Sequence, residues 1–237
     1  MRLAGLAARA LALAGDGSRR TLLGITGAPG AGKTTLARAL VTALADVPPP
    51  GAAPGAWVAH VPMDGFHLAD VALRALGRAG RKGAPDTFDA AGYAALLHRL
   101  RADDPSVTVW APQFERDLEQ PLAGAIGVPP AARLVVTEGN YLLLDDPAWR
   151  PVAAELDEVW FCAPDERLRL DRLVARHVEF GKDPDHAAAW VRDVDGPNAA
   201  RVAATAGRAD LVVTDDVLTG PGPAPGPGRS AGPGQSA

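Results

Sequence analysis

One cysteine in 237 residues, Cys162, rules out an internal disulfide and any cysteine-built zinc cage. It closes the apolar run Val159-Trp160-Phe161, where a thiol reads as a buried, inert small hydrophobe. A chain without disulfides suits a cytoplasmic location. Excess basic charge is also missing: 24 Lys and Arg stand against 28 Asp and Glu, a formal net charge of −4. That balance gives no electrostatic footprint for nucleic acid or for an anionic membrane. The Ala-rich stretch from Met1 to Ala14 is too short to span a bilayer and reads as a leading helix packed on the domain. His60 in a strand and His98, His177 and His186 on helices lack metal-ligand spacing and read as structural. No internal repeat is visible. What remains is 47% apolar, enough for a proper core, in a length that suits one domain.

Against these absences stands one strong motif, Gly27-Ala28-Pro29-Gly30-Ala31-Gly32-Lys33-Thr34, which fits G-x-x-x-x-G-K-[ST] at every fixed position. Thr21 to Thr26 before it reads as a buried strand. Thr35 to Ala45 after it reads as a helix with Leu36, Leu40 and Leu44 on one face. Glycines let such a loop wrap a phosphate with inward N–H groups, and the helix N-terminus adds partial positive charge. The nucleotide-binding set is therefore Gly27, Ala28, Pro29, Gly30, Ala31, Gly32, Lys33, Thr34 and Thr35. Lys33 reaches the β/γ-phosphates of ATP, and the Thr34 hydroxyl holds Mg²⁺.

Strands and helices alternate along the rest of the chain. Trp57–Val61, Val107–Trp110, Arg133–Glu138, Asp157–Phe161 and Ala209–Thr214 read as strands. Asp46 to Ala56, with four prolines, reads as a mobile surface loop. Asp89 caps a helix running to Arg101, while Pro112 to Asp117 reads as a loop. Further helices cover Pro164 to Phe180 and Pro184 to Val194, and another starts near Pro197. Gly220 to Ala237 is Gly, Pro, Ser and Ala with one Arg, and reads as a disordered tail after a single domain of residues 1–219. Continuous apolar strands alternating with helices predict an α/β fold, a mostly parallel sheet covered on both faces. Ligands of such sheets bind beyond the carboxyl ends of the strands, where the phosphate loop, Asp64 and Glu138 fall. The ends of the first two strands are expected to be neighbours.

Phosphoryl transfer needs a metal, a group that orients the nucleophile, and positive charge on the transferred group. Glu138, after an apolar run, has the place of a metal-binding strand-end carboxylate. Asp64 also ends an apolar strand and can accept a proton from a substrate hydroxyl, with Gly65 leaving room for a ligand.

These residues carry a family resemblance. The phosphate loop, Met63-Asp64-Gly65-Phe66-His67, Lys82 to Asp89 and Glu138-Gly139-Asn140-Tyr141-Leu142-Leu143 come in one order. That order resembles the superfamily of uridine kinase, phosphoribulokinase and bacterial pantothenate kinase. It is most similar to the bacterial branch called nucleoside/nucleotide kinase-like or fructose-transport-kinase-like, over about residues 20 to 216. The resemblance implies a P-loop kinase using ATP and Mg²⁺ on a hydroxyl of a small molecule, with Asp64 as base and Glu138 beside the metal. It also implies a lid over about residues 165–183, whose Arg169 meets the nucleotide while Arg172 and Arg176 serve catalysis.

Gly83 stands where uridine kinases carry an acidic residue, and no histidine follows Phe114. A sugar, a polyol or a pantothenate-like compound therefore stays open beside a nucleoside. The pocket set comprises His67, Arg81, Lys82, Phe114, Arg116, Asn140 and Tyr141 with Asp64. A nucleotide-binding regulator or a P-loop switch is the competing reading. The guanine-reading N-K-x-D motif is absent, and a homodimer is left open.

Overall fold

The computed structural model describes residues 2–214. The tail expected at 220–237 and the domain limit at 219 lie outside the described residues. Five parallel strands form the central sheet: β1 (Thr21–Thr26), β2 (Val58–Pro62), β5 (Leu134–Gly139), β6 (Glu158–Cys162) and β7 (Leu211–Val213). Their order is β2-β5-β1-β6-β7. The first two strands are therefore not neighbours, against the expectation. β5 enters between them, because each parallel crossover passes over a helix and chain order does not fix adjacency.

Side chains alternate across this sheet into two cores. Leu23, Ile25, Leu134 and Val136 face α1 (Leu3–Ala14) and α2 (Lys33–Leu44). α1 contributes Leu6, Ala10 and Ala14 at four-residue spacing, and α2 contributes Leu36, Leu40 and Leu44. Leu22 and Val135 face α4 (Ala90–Arg101), which buries Tyr93, Leu96, Leu97 and Leu100. The Asp89 carboxylate caps α4 by accepting from the Gly92 N–H at 2.8 Å, as read from the sequence. The loop after α2 lies at the surface as expected and is tied to the fold at two points. The Gly51 N–H donates to the Asp16 carbonyl at 2.8 Å and Gly55 to Ala45 at 2.8 Å, and Pro49 is buried.

The largest departure lies at 109–128. Residues 112–115, expected in a loop, belong to β3 (Val109–Glu115), which pairs antiparallel with β4 (Gln120–Val128) in a separate hairpin. Gly65 serves this hairpin rather than a ligand: a Cβ there would lie 2.2 Å from the Pro112 carbonyl oxygen.

After β6 come α6 (Glu166–Glu179) and α7 (Pro184–Trp190). A π-helical turn (Val191–Asp195) joins α7 to α8 (Gly196–Ala203), so the two helices expected here are continuous. Pro197 lacks an N–H, and its ring would crowd the carbonyl four residues back; the wide turn relieves both. The remaining short helices are α3 (Asp70–Ala75) and α5 (Arg150–Ala154). Among the described residues no helix is long and apolar enough to cross a membrane.

Arg20, fully buried where β1 begins, ties the sheet to α4 and the loop before β5. It donates to the carbonyls of Ala132 (2.9 Å), Leu100 (3.1 Å) and Pro129 (3.1 Å), and lies 3.4 Å from Asp103. Arg20→Ala strands those carbonyls in the interior, while Asp103 keeps its two bonds from Arg133 at 2.7 and 2.8 Å. It should lower unfolding free energy by about 3–5 kcal/mol in a denaturant titration. A loss below about 1 kcal/mol would show that the guanidinium is dispensable.

Candidate active site

The phosphate loop has its shape because two of its glycines do what no other residue can. Gly27 and Gly30 have φ of 147° and 81°, and a Cβ on either would lie 2.7 Å from the Cys162 carbonyl oxygen or 2.8 Å from that of Arg169. The loop is thus pressed between β6 and α6. Cys162 is buried as expected, and burial pushes its thiol up to about 12.

At the mouth of the loop Lys33 is buried, and its ammonium donates to the Ala28 carbonyl at 3.0 Å and to Asn140 Oδ1 at 2.6 Å. The Thr34 hydroxyl donates to Glu138 Oε1 at 2.7 Å. Burial lowers the Lys33 pKa, with Glu138 opposing. Burial raises that of Glu138, the Asp64 charge adds to the rise, and Lys33 and Thr34 oppose it. Lys33 and Glu138 each offset part of the other's burial cost, whereas Asp64 adds to that of Glu138.

Asp64 sits in the short 3₁₀ turn Met63–Phe66 that leaves β2. Gly139 lets this turn fold over the end of β5, because the Met63 side chain fills the space of its missing Cβ. The Asp64 carboxylate opens into the same cleft as Lys33, Thr34 and Glu138, and Arg116 Nη2 lies 3.8 Å from it.

Two cavities meet at this point. One, of about 530 Å³, lies between Gly30, Gly32, Thr34, Thr35 and α6, and receives Arg172 and Arg176. The other, of about 540 Å³, runs from Lys33 and Thr34 past Asp64 to His67, Lys82 and Phe114. Lys33, Thr34, Arg116, Arg176 and Phe180 border both.

Of the expected loop residues Gly27, Ala28 and Ala31 line neither cavity, and three expected side chains outside the loop also lie elsewhere. Arg169 is buried behind the loop, donating to the Pro29 carbonyl at 2.8 Å and to Glu166, so it holds the loop rather than facing the cavity. Arg81 turns outward and pairs with Asp86 at 2.5 Å. Tyr141 is a core residue whose hydroxyl donates to the Gly83 carbonyl at 2.5 Å while its ring packs on Phe88 and Trp149. The others line the second cavity: Asn140, Arg116, His67 stacked on Phe88 and Phe114 (centroids 4.0 and 4.7 Å apart), and Lys82, 5.4 Å above the Phe114 ring.

The sequence did not single out Arg38 on the nucleotide side, although it lies one helical turn past Thr34. It also passed over Phe180, His177, Lys182, Trp190 and Asp195, which close the second cavity from the lid. Their convergence depends on the turn after α6 and has no local signal.

No protein-family model matches the chain. It is 39% identical over 133 residues to an ATP-dependent kinase-like protein of Aspergillus versicolor, covering 54% of this chain and 77% of that one. It is 30% identical over 175 residues to a Schizosaccharomyces pombe protein provisionally named a uridine kinase, covering 69% and 68%. A solved structure from Silicibacter sp. TM1040, provisionally described as a fructose transport system kinase, superposes with a TM-score of 0.77. It is 36% identical, over 90% of this chain and 99% of that one.

The buried Glu138 carboxylate generates a test that needs no substrate. Its folded pKa lies above its unfolded value, so ionising it costs stability. The cost is absent in acid below the unfolded value and complete above the folded one. Glu138→Gln keeps a carbonyl acceptor for Thr34 and removes the charge. It should raise the thermal midpoint of the ligand-free protein at neutral pH by about 2–4 °C, with the gain vanishing in acid. A midpoint equal to or below that of the wild type at neutral pH would show that Glu138 is already neutral or well compensated.

Proposed function

The chain belongs to the uridine-kinase-like branch of the P-loop kinases, and from that premise we propose that it transfers the γ-phosphate of ATP to a hydroxyl of a sugar, pantothenate-like or nucleoside-like metabolite. The observation that carries this reading is the meeting of the two cavities. Lys33, Thr34, Glu138 and Asp64, from three strand ends, stand where a nucleotide on one side would face an acceptor on the other.

The glycine-loop amides and the start of α2 cradle the phosphates, and Lys33 exchanges its Asn140 and Ala28 contacts for phosphate oxygens. Thr34 Oγ1 and Glu138 Oε1, two hard oxygen donors 2.7 Å apart, are the groups that would hold a Mg²⁺ ion brought in with the nucleotide. When bound, that ion neutralises phosphate charge. Asp64 accepts the proton of the acceptor hydroxyl as that oxygen bonds to the γ-phosphorus. The bond to the β-phosphate oxygen breaks and ADP departs. Arg172 and Arg176 supply positive charge to the equatorial oxygens from the lid, and Arg116, 3.8 Å from Asp64, adds positive charge beside that carboxylate. The same reading puts the protein in the cytoplasm, where ATP is supplied.

ADP release over a panel of nucleosides, sugars and pantothenate-like compounds tests the proposal. Lys33→Ala should reduce turnover by roughly 10²-fold or more with the fold intact, since it removes a charge on the transition state. Asp64→Asn should leave ATP binding about unchanged while kcat falls by roughly 10²-fold or more. Near wild-type turnover in either variant would remove that residue from the mechanism. ATP binding with no acceptor-dependent ADP release across the panel would favour a nucleotide-binding regulator.

A further inference from the structure

The lid lines the cavity that Asp64 opens into, through a chain of three side chains. Lys182 Nζ lies 3.0 Å from His177 Nδ1, and His177 Nε2 lies 2.8 Å from Asp195 Oδ2. An ammonium can only donate, so Nδ1 accepts and the ring proton sits on Nε2, pointing at the carboxylate. His177 and Asp195 are each 14% exposed, and all three residues line the cavity. Lys182 is itself fixed over the Trp190 ring at 5.0 Å.

The backbone around Asp195 is unusual for the same reason. Asp195 ends the π-helical turn that Pro197 imposes, and Asn198 Nδ2 donates to the Val194 carbonyl at 2.9 Å to hold that turn. The turn widens the helix where a carboxylate enters the cavity. His177 meets one of its oxygens, Oδ2, and among the described residues the side chain has no other hydrogen bond.

We propose that Asp195 is a specificity-determining residue that accepts a hydrogen bond from a second hydroxyl of the acceptor, and that the acceptor is a neutral polyol bound between Asp64 and Asp195. The proposal rests on the kinase reading above. It follows from charge at this end of the cavity. A cationic amine could also donate to Asp195, but Lys182, Arg176 and Arg116 border the same space. An anionic group cannot donate to Asp195 and meets the carboxylates of Asp64, Glu119 and Glu138 in the same space, where they face the cations of Arg74, Arg116 and Arg176, while Lys82 pairs with Asp70 at 2.8 Å and Lys182 bonds His177. A hydroxyl donor meets neither obstacle. The apolar faces of His67, Phe88 and Phe114 suit the C–H face of such a compound. His177 acts through Asp195 and is a positioning residue.

The test is equilibrium titration of the whole protein with ATP and, separately, with ribose, fructose, sorbitol, 1-propanol and pantothenate. At least one of the three neutral polyols should bind saturably, ahead of 1-propanol and pantothenate. Asp195→Asn should weaken that polyol about tenfold or more, the loss of a hydrogen bond to a charged group, with ATP affinity within about twofold of the wild type. His177→Gln, which keeps a donor toward Asp195, should retain polyol binding, and His177→Ala should lose it with ATP binding unchanged. Absence of saturable binding by all three polyols, equal binding to wild type and Asp195→Asn, or preference for pantothenate would each overturn the proposal. Failure of the wild type to bind ATP would sink the kinase reading instead, and the polyol titration would still decide the role of Asp195.

Discussion

The Glu138 carboxylate at the end of β5 is the charge on which the arrangement of this molecule turns. It is 4% exposed, accepts from Thr34 at 2.7 Å and shares its buried surroundings with Lys33. An ionised carboxylate is tolerated there only with partners in place. Because β5 lies between β1 and β2, this one group looks toward the phosphate loop on one side and the Asp64 turn on the other. The first two strands need not touch for their ends to act together. Gly139 completes the junction by letting Met63 pack where a side chain would stand.

The lid adds the second half of the site from one helix and the turn that follows it. On α6, Arg169 faces inward and grips the phosphate loop by its Pro29 carbonyl, while Arg172 and Arg176 face the nucleotide cavity. One helix thus carries both the anchor that fixes its distance from the loop and the cations that would act on phosphate. At its C-terminal end Phe180 lies under the Arg116 guanidinium, 5.4 Å from ring centre to carbon, so the hairpin and the lid touch above Asp64.

What could be read from the chain alone follows how local each signal is. The phosphate loop was legible because turn, glycines and helix start are all encoded within eight residues. The cap at Asp89 and the apolar runs of β1 and β5 were legible for the same reason. β4 was not: Pro121, Gly124 and Gly127 interrupt it and most of it is exposed, so neither alternation nor an apolar run marks it. Strand order was invisible because adjacency in a parallel sheet belongs to the crossovers. Arg169, Arg172 and Arg176 are alike in type and spacing, yet only the fold separates the one that holds backbone from the two that face the cavity. His177 looked ordinary because Asp195, the partner that gives it meaning, lies 18 residues away.

The two cavities also differ in what builds them, and that difference bears on how such a protein changes substrate. The phosphate side is made of backbone and of residues fixed by packing: two glycines against β6 and α6, and a buried Lys and Glu. Altering the glycines disturbs the fold and the phosphate loop at once, whereas altering Lys33 or Glu138 changes the charge at the loop while the fold survives. The acceptor side is made of side chains on three separate pieces, the turn after β2, the β3–β4 hairpin and the lid. Substitutions at His67, Phe114 or Asp195 reach the acceptor without crossing the sheet. On the reading proposed above, reaction type rests on residues anchored at the ends of the central sheet, whereas acceptor choice would rest on peripheral ones. For this reason the motifs that identify the family leave the acceptor unnamed. The lid carboxylate and its histidine lie outside every motif, which is why the role proposed for them has no signature in the sequence.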